Sequence, residues 1–250
     1  MTVTSYRTKA VAVGDSLEEI LAVCLPKLNE GDIVVVTSKI VSICEGSVVK
    51  NDGRVFKEAL IKKEADLFID DPKTSAYHVI LTINHNTLIA NAGIDESNGN
   101  GSFILWPQNP AKSSAGLWLF LKNRYQLKKL GVIITDSRLI PMRWGTLGVG
   151  LAWCGFSPLK NYIGAPDIFG HKLRMTKASV IDGIAASAVI VMGEGNEQTP
   201  LAVVSDIPFV TFMDRPPTTG EIKEMQIRKE DDIYGPLTNS SKWKKGGAAH

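Results

Sequence analysis

Residues 130–150 read LGVIITDSRLIPMRWGTLGVG and contain the pattern that decides the fold, a buried strand followed directly by polar residues. The run Val132-Ile133-Ile134 is rich in β-branched residues, which predicts a buried strand rather than a helix. Thr135, Asp136 and Ser137 follow this run. Carboxylate and hydroxyl groups at the end of a strand suit a hard divalent cation such as Mg²⁺ or Mn²⁺. The pattern therefore predicts a metal site, although a turn capped by Asp136 would use the same residues.

Two arginines follow the polar residues. Arg138 and Arg143 flank Pro141 in a predicted loop, and Gly145, Gly148 and Gly150 come directly after it. The planar guanidinium group of arginine binds phosphate through two hydrogen bonds. We therefore predict a combined metal and phosphate site.

Composition excludes several classes of protein. The 250 residues are 44% hydrophobic and 22% charged, as in an ordinary globular protein, and the net charge is only +2. This gives no reason to expect binding to nucleic acid or to a membrane surface. The three cysteines are widely spaced and form no CxxC pair, which indicates a reducing compartment and predicts a cytoplasmic protein.

Hydrophobic periodicity predicts helices and strands along the rest of the chain. Ser16 is a predicted N-cap, and residues 180–192 form a predicted helix that ends at Gly193. Further helices are predicted over residues 55–65 and 110–129. Strands are predicted over residues 3–13, 33–36, 47–50, 79–83, 87–89, 152–156, 173–180, 201–204 and 208–212. Residues 66–74 are predicted to be irregular, and the charged segment from Asp214 onward is predicted to be a docking segment.

Three further stretches carry polar chemistry. Lys39 follows the strand at residues 33–36, where it could pair with a phosphate or lie at the surface. Residues 91–101 are dominated by Gly, Asn, Asp and Ser, and such a loop either binds a ligand or is a plain surface loop. Residues 193–200 form a glycine-bounded acidic loop that matches neither a GxxxxGK[ST] nor a GxGxxG motif. If the loops around Asp95, Asp136 and Glu194 converge, their carboxylates would hold one or two divalent ions that bridge phosphates.

Five ordered motifs resemble those of the coenzyme F420-0:γ-glutamyl ligases. They are Ser38-Lys39-Ile40-Val41-Ser42 with Glu45-Gly46, Asn91-Ala92-Gly93-Ile94-Asp95-Glu96-Ser97-Asn98, Val132-Ile133-Ile134-Thr135-Asp136-Ser137, Asp167-Ile168-Phe169-Gly170 and Met192-Gly193-Glu194-Gly195. The resemblance implies an α+β fold with mixed and antiparallel sheets, flanking helices and two intertwined subdomains. The whole chain, residues 1–250, would be one ligase unit, with a subdomain boundary that the sequence does not place.

The resemblance also implies an activity. The protein would join L-glutamate by an amide bond to a carboxylate acceptor through an acyl phosphate. The reaction would use GTP and a divalent cation, Mg²⁺ or Mn²⁺, and K⁺ is a further candidate cation. The protein would act as a homodimer. The residues that match metal-binding positions are Asp95, Asp136, Ser137 and Glu194. Those that match nucleotide-binding positions are Ser38, Lys39, Asn98, Gly193, Gly195, Asn196 and Glu197. Asp136 and Arg143 are the predicted catalytic residues.

The chain departs from the family pattern at two places. Ile43 stands where the family usually has a lysine that helps to hold the nucleotide. Residues 137–143 replace a Gly-Arg-Pro-Phe-Arg type loop, in which only Arg143 keeps a clear match. The residues of several motifs are similar to those of a bacterial branch of folate-metabolism γ-glutamate ligases. The acceptor is therefore expected to be a folate-type carboxylate or coenzyme F420-0. Two alternatives stay open: a metal-dependent nucleotide or phosphoester hydrolase, and a non-catalytic GTP-binding protein.

Overall fold

The computed structural model describes residues 1–71, 79–239 and 242–248. The strands are β1 (Thr2–Tyr6), β2 (Asp32–Thr37), β3 (Val48–Lys50), β4 (Leu67–Ile69), β5 (Leu81–Asn84), β6 (Thr87–Ala90), β7 (Ser102–Ile104), β8 (Leu130–Leu139), β9 (Thr146–Cys154), β10 (Leu159–Asn161), β11 (Lys177–Ser179), β12 (Leu201–Ser205) and β13 (Trp243–Lys245). The helices are α1 (Leu17–Cys24), α2 (Ser38–Glu45), α3 (Lys57–Glu64), α4 (Pro110–Tyr125), α5 (Val180–Met192), α6 (Thr219–Met225) and α7 (Gly235–Thr238). A 3₁₀ turn spans Asn91–Gly93.

The main element of the fold is a five-stranded mixed sheet with the order β1-β12-β2-β8-β9. Strands β2 and β8 are parallel, and the other neighbouring strands are antiparallel. Alternate side chains of β2 point to opposite faces, and Ile33, Val34, Val35 and Val36 are all fully buried. The sheet is therefore covered on both faces, which explains the continuous apolar runs in its central strands.

Different helices cover the two faces of this sheet. Helices α1, α2 and α4 pack on one face, where Leu21 and Leu121 contact Val34 and Ile134. Helix α5 packs on the other face, against Ile33 and neighbouring side chains. Glycines let α5 approach β9 closely, because a Cβ on Gly148 would lie 2.4 Å from the Ala185 carbonyl oxygen.

Most of a smaller layer lies in the crossover between the parallel strands β2 and β8, and strand β13 near the end of the chain completes it. This layer holds a four-stranded sheet with the order β13-β4-β5-β6 and a two-stranded ribbon of β3 and β7. Its own apolar cluster includes Leu60, Ile61, Phe68 and Phe103. The carboxyl ends of β2 and β8 face the connection between β6 and β7, and this position creates the cleft described below.

Many predicted elements are confirmed. Ser16 caps α1, since its hydroxyl accepts a hydrogen bond from the Glu19 amide. Helix α5 has the predicted bounds. The hairpin of β5 and β6 turns through His85 and Asn86, both in the left-handed region. The α+β class with mixed and antiparallel sheets is also confirmed, whereas the division into two subdomains stays a prediction.

Other predictions were wrong. Strand β8 continues through Asp136 to Leu139, because β9 supplies ladder partners beyond the end of β2. Residues 208–212 form no strand beyond one bridge at Phe212, and left-handed backbone at Asp206 and Phe209 interrupts the extended run. The first strand ends at Tyr6.

Three further corrections concern residues predicted to be irregular or loose. Residues 66–74 contain β4, although residues 72–74 lie outside the described part. Ser38 and Lys39, predicted only as polar residues at the end of a strand, begin helix α2, which was not predicted. The segment after Asp214 is not only a docking segment, since it contains α6 and α7 and adds β13 to the edge of β4. Among the described residues, no helix has the length and apolar character needed to cross a membrane.

Candidate functional site

A cleft of about 940 Å³ lies where the two layers meet. Its walls are the carboxyl ends of β2 and β8, the start of α2, the loop around Asp95 and the loop that follows α5. Ligands commonly bind outside the carboxyl ends of parallel strands. The cleft is therefore the candidate functional site.

The shape of β8 gives the cleft access to both faces of this strand. The ladder between β8 and β9 has a register shift between Ile134 and Thr135, so that Leu151 is left without a partner. Such a bulge bends a strand and re-aims its side chains. Asp136 and Arg138 alternate with Ser137 and are therefore presented on the opposite face from it.

Asp136 is enclosed by protein donors. Its carboxylate accepts hydrogen bonds from the Trp106 indole Nε1 and, at 2.8 Å, from the Ser137 amide. Burial raises the pKa of Asp136 to about 6, even though both hydrogen bonds act in the opposite direction. The nearby Asp95 carboxylate adds to the rise, and Lys39 opposes it. At neutral pH, the hydrogen bonds to Asp136 therefore do not fully offset the cost of burying its negative charge.

Gly93 holds the Trp106 indole in place. Its φ is +76°, and a Cβ on this residue would lie 2.1 Å from Trp106 Nε1. Only glycine permits both this backbone conformation and this close approach. The glycine in the loop before Asp95 therefore supports the hydrogen bond that reaches Asp136.

Lys39 and Asp95 form an ion pair across the cleft. Lys39 Nζ lies 2.7 Å from Asp95 Oδ2 and also donates to the Ser97 hydroxyl at 3.1 Å. Burial tends to raise the pKa of Asp95, but Lys39 and the Ser97 donors outweigh burial, so the pKa lies below its usual value. Lys39 belongs to the first turn of α2, which places it at the carboxyl end of β2.

Glu194 is fixed to the β8–β9 hairpin. Its Oε1 accepts hydrogen bonds from Ser137 Oγ at 2.6 Å and from Thr146 Oγ1 at 3.0 Å. Asn98 Nδ2 donates to the Gly195 carbonyl at 3.1 Å and so ties the Asp95 loop to the Glu194 loop. The two loops and the hairpin therefore form one connected wall.

Glu197 stabilises the loop in which it lies. Its carboxylate accepts from the Gly195 amide at 2.8 Å. A Cβ on Gly193 would lie 2.5 Å from the same carboxyl group. In this conformation Glu197 shapes the loop backbone through its side chain.

The structure brings most of the predicted site residues to this cleft. Those lining it are Ser38, Lys39, Asp95, Asn98, Asp136, Ser137, Gly193, Glu194, Gly195, Asn196 and Glu197. Arg143, the second predicted catalytic residue, is exposed in the β8–β9 connection and does not line the cleft. Arg138 lines it instead.

Sequence reasoning did not single out Thr146, Gly93 or the contact between Trp106 and Asp136. The pairing of Leu139 with Thr146 in the hairpin ladder places Thr146 beside Ser137, and only a predicted register could have indicated this. Among the tryptophans, Trp106 and Trp153 are buried and Trp144 is exposed.

The oxygen ligands in the cleft are of the type that a hard divalent cation prefers. Asp95, Asp136, Ser137 and Glu194 supply carboxylate and hydroxyl oxygens to one cleft. The charge of Asp136 also calls for a cation, because burial makes its ionisation costly. Within the described ranges, however, no three His, Cys, Asp or Glu side chains are grouped closely enough to form a ready metal site. Here Lys39 neutralises Asp95, and Glu194 is held by the hydroxyls of Ser137 and Thr146.

Comparison with known proteins gives a consistent result. The profile of the family described as F420-0:γ-glutamyl ligase matches residues 5–206. The chain is 31% identical over 220 residues to a coenzyme F420:L-glutamate ligase of Methanococcus maripaludis, covering 83% of this chain and 86% of the relative. A protein of the same name from Halobacterium salinarum is 31% identical over 228 residues, covering 80% and 84%. One from Methanosarcina acetivorans is 31% identical over 215 residues, covering 78% and 82%.

Proposed function

The chain belongs to the F420-0:γ-glutamyl ligase family, and on this premise we propose that it joins L-glutamate to a carboxylate acceptor by an amide bond, with GTP and a divalent cation. The observation that carries the proposal is the cleft. It collects Lys39, Asp95, Asp136 and Glu194 from four segments far apart in sequence. Such a set of opposite charges suits a phosphate group with its counterion.

The start of α2 is the proposed place for the nucleotide phosphates. Thr37 at its N-cap makes no side-chain capping bond, so amide N–H groups of the first turn are available to an anion. Ser38 and Lys39 follow at the cleft. Asn98 and the loop over residues 193–200 would contact the rest of the nucleotide.

One or two divalent cations, Mg²⁺ or Mn²⁺, would be held by Asp95, Asp136, Ser137 and Glu194, of which Ser137 and Glu194 lie on the opposite face of β8 from Asp136. When bound, they would neutralise charge on the phosphates during transfer. Trp106 and the Ser137 amide orient the Asp136 carboxylate, and the Thr146 hydroxyl orients Glu194. Lys39 would exchange part of its pairing with Asp95 for a phosphate oxygen.

The proposed reaction has two steps. A carboxylate oxygen of the acceptor attacks the γ-phosphorus of GTP, the bond from phosphorus to GDP breaks, and an acyl phosphate forms. The amine of L-glutamate then attacks the acyl carbon, inorganic phosphate leaves, and the nitrogen loses a proton. No side-chain nucleophile is required, so the chain's contribution is positioning and charge stabilisation.

The acceptor would be coenzyme F420-0 or a folate-type carboxylate. Both carry a conjugated ring, and the cleft includes apolar side chains that could contact one, among them Ile40, Ile43, Ile89 and Ile94.

The test is a reaction of the purified protein with L-glutamate, GTP and Mn²⁺, offered F420-0 or tetrahydrofolate and analysed by mass spectrometry. We expect a mass gain of one or more glutamate residues on one acceptor, and phosphate release only when that acceptor is present. Phosphate release without acceptor would favour the hydrolase. Tight GTP binding with no turnover on either acceptor would favour the non-catalytic protein. The homodimer also stays a prediction, which light scattering tests.

A further inference from the structure

Arg138 is distinguished from the other cations of the cleft by its lack of an ionic partner. Three cationic side chains line the cleft within the described part of the chain: Lys9, Lys39 and Arg138. Lys9 lies 2.6 Å from Asp15, and Lys39 lies 2.7 Å from Asp95. The Arg138 side chain has neither an ion pair nor a hydrogen bond to any described residue, whereas its backbone pairs with Leu147 in the β8–β9 ladder.

The partial burial of the Arg138 side chain makes this lack of a partner costly. Its Nε is shielded from solvent and donates to no acceptor among the residues that the structure describes. An unsatisfied buried donor destabilises the folded protein, and more so when the group is charged. A ligand that supplies two oxygens would remove this cost, since guanidinium binds a carboxylate through two parallel hydrogen bonds.

The position of Arg138 relates it to the reacting groups. Arg138 and Asp136 are two residues apart in β8, so they share one face of the strand and lie roughly 7 Å apart. Glu194 is bound to Ser137, on the other face. A ligand held by Arg138 would therefore lie beside Asp136, on the side away from Glu194.

The chemistry of the proposed reaction indicates which anion this is. The nucleotide phosphates have Lys39, the start of α2 and a cation as partners, and the acceptor's carboxylate is consumed in the reaction. L-Glutamate reacts through its amine and keeps two carboxylates throughout. Glutamine differs from glutamate in having an uncharged side chain. A ligase that selects glutamate over glutamine therefore needs a cation that binds the side-chain carboxylate.

We propose that Arg138 binds the side-chain carboxylate of L-glutamate and sets the preference of the enzyme for glutamate over glutamine. The proposal rests on the ligase function above. Arg138 would be a substrate-binding residue that contacts the incoming amino acid, whereas Asp136 and Glu194 serve the phosphate end.

The test compares wild type with Arg138→Gln and Arg138→Lys, using F420-0, GTP, Mn²⁺ and either L-glutamate or L-glutamine. Loss of a charge-assisted pair should lower kcat/KM for glutamate on the order of 10²-fold in Arg138→Gln. The ratio of kcat/KM for glutamate to that for glutamine should fall by a similar factor, while KM for GTP and F420-0 stays within about 3-fold. Arg138→Lys should be intermediate, because it keeps the charge but not the planar fork.

The control variant is Arg124→Gln, which changes an exposed arginine at the end of α4 outside the cleft. An unchanged glutamate-to-glutamine ratio in Arg138→Gln would overturn the proposal even if activity fell, since a structural defect lowers both rates alike. So would a rise in KM for GTP or F420-0 in place of glutamate.

A binding measurement separates failure of this proposal from failure of the ligase function. Thermal shift of wild type and Arg138→Gln is measured with L-glutamate and with L-glutamine. We expect glutamate to stabilise wild type and not the variant. Equal stabilisation of both proteins, or of neither, refutes the role of Arg138 whether or not wild type makes an amide.

Discussion

Replacing Asp136 by asparagine should stabilise the metal-free protein while removing its activity. Burial raises the pKa of this carboxyl from 3.8 to about 6. At about 1.4 kcal/mol for each unit of pKa, ionising Asp136 in the folded state costs at most about 3 kcal/mol. Asparagine is neutral and avoids this cost.

Asparagine also loses one hydrogen-bond acceptor. The carboxylate accepts from both Trp106 Nε1 and the Ser137 amide. An amide has one oxygen, so one of these donors faces an NH₂ group, at a cost of about 1 kcal/mol. The net gain in the free energy of unfolding is therefore about 1–2 kcal/mol, or roughly 2–6 °C in Tm for a chain of this size.

The sign of the pH dependence follows from the raised pKa. Between pH 3.8 and about 6 the folded wild type retains a proton that the unfolded chain has lost, so its stability falls as pH rises through this window. The advantage of Asp136→Asn should thus be complete near pH 7.5, shrink below pH 6 and reverse near pH 4, where only the lost hydrogen bond remains and the variant is about 1 kcal/mol less stable. Urea unfolding in EDTA at these three pH values measures it.

Asp95→Asn is the matched control in the same cleft. The pKa of Asp95 is lowered, and its charge is stabilised by Lys39, so this variant should be less stable than wild type at pH 7.5. Added Mn²⁺ should stabilise wild type and not Asp136→Asn, and ligation should be lost. The reasoning is refuted if Asp136→Asn is destabilised at pH 7.5, or if its advantage is independent of pH.

Three further predictions concern the support of the cleft and of the smaller layer. Gly93→Ala should cost about 2–4 kcal/mol in urea unfolding, because its Cβ would overlap Trp106; Gly53→Ala, with similar φ but open space, should cost only about 1 kcal/mol. Lys39→Met should raise the pKa of Asp95 above its value in wild type, which NMR titration of the carboxyl carbon detects, and should raise KM for GTP on the order of 10-fold or more; an unchanged KM would exclude Lys39 from the nucleotide site. Deleting β13 should expose the edge of β4 and increase hydrogen exchange there while leaving exchange in β2 unchanged, and equal exchange in β4 would show that the terminal strand adds no protection.

The sequence by itself determined the features that depend on near neighbours. The β-branched runs at residues 33–36 and 132–134 became the central strands, because both faces of this sheet are buried and every position can be apolar. The bounds of α5 followed from its run of apolar and small residues and from Gly193 at its end, since a cap acts within one turn. The ordered motifs also indicated the family, because they name residue types at fixed spacing.

Only the tertiary structure decided how the candidate site is built. The continuation of β8 past Ile134 depends on ladder partners supplied by β9, and the bulge at Leu151 turns Asp136 towards Trp106. The Arg138 side chain has no partner among the described residues, and this depends on which carboxylates the fold brings near it. Each of these is a property of pairs of residues distant in sequence, whose register and approach no local pattern specifies. The chain alone therefore predicted which residues matter, and the packing of the two layers determined what each of them contacts.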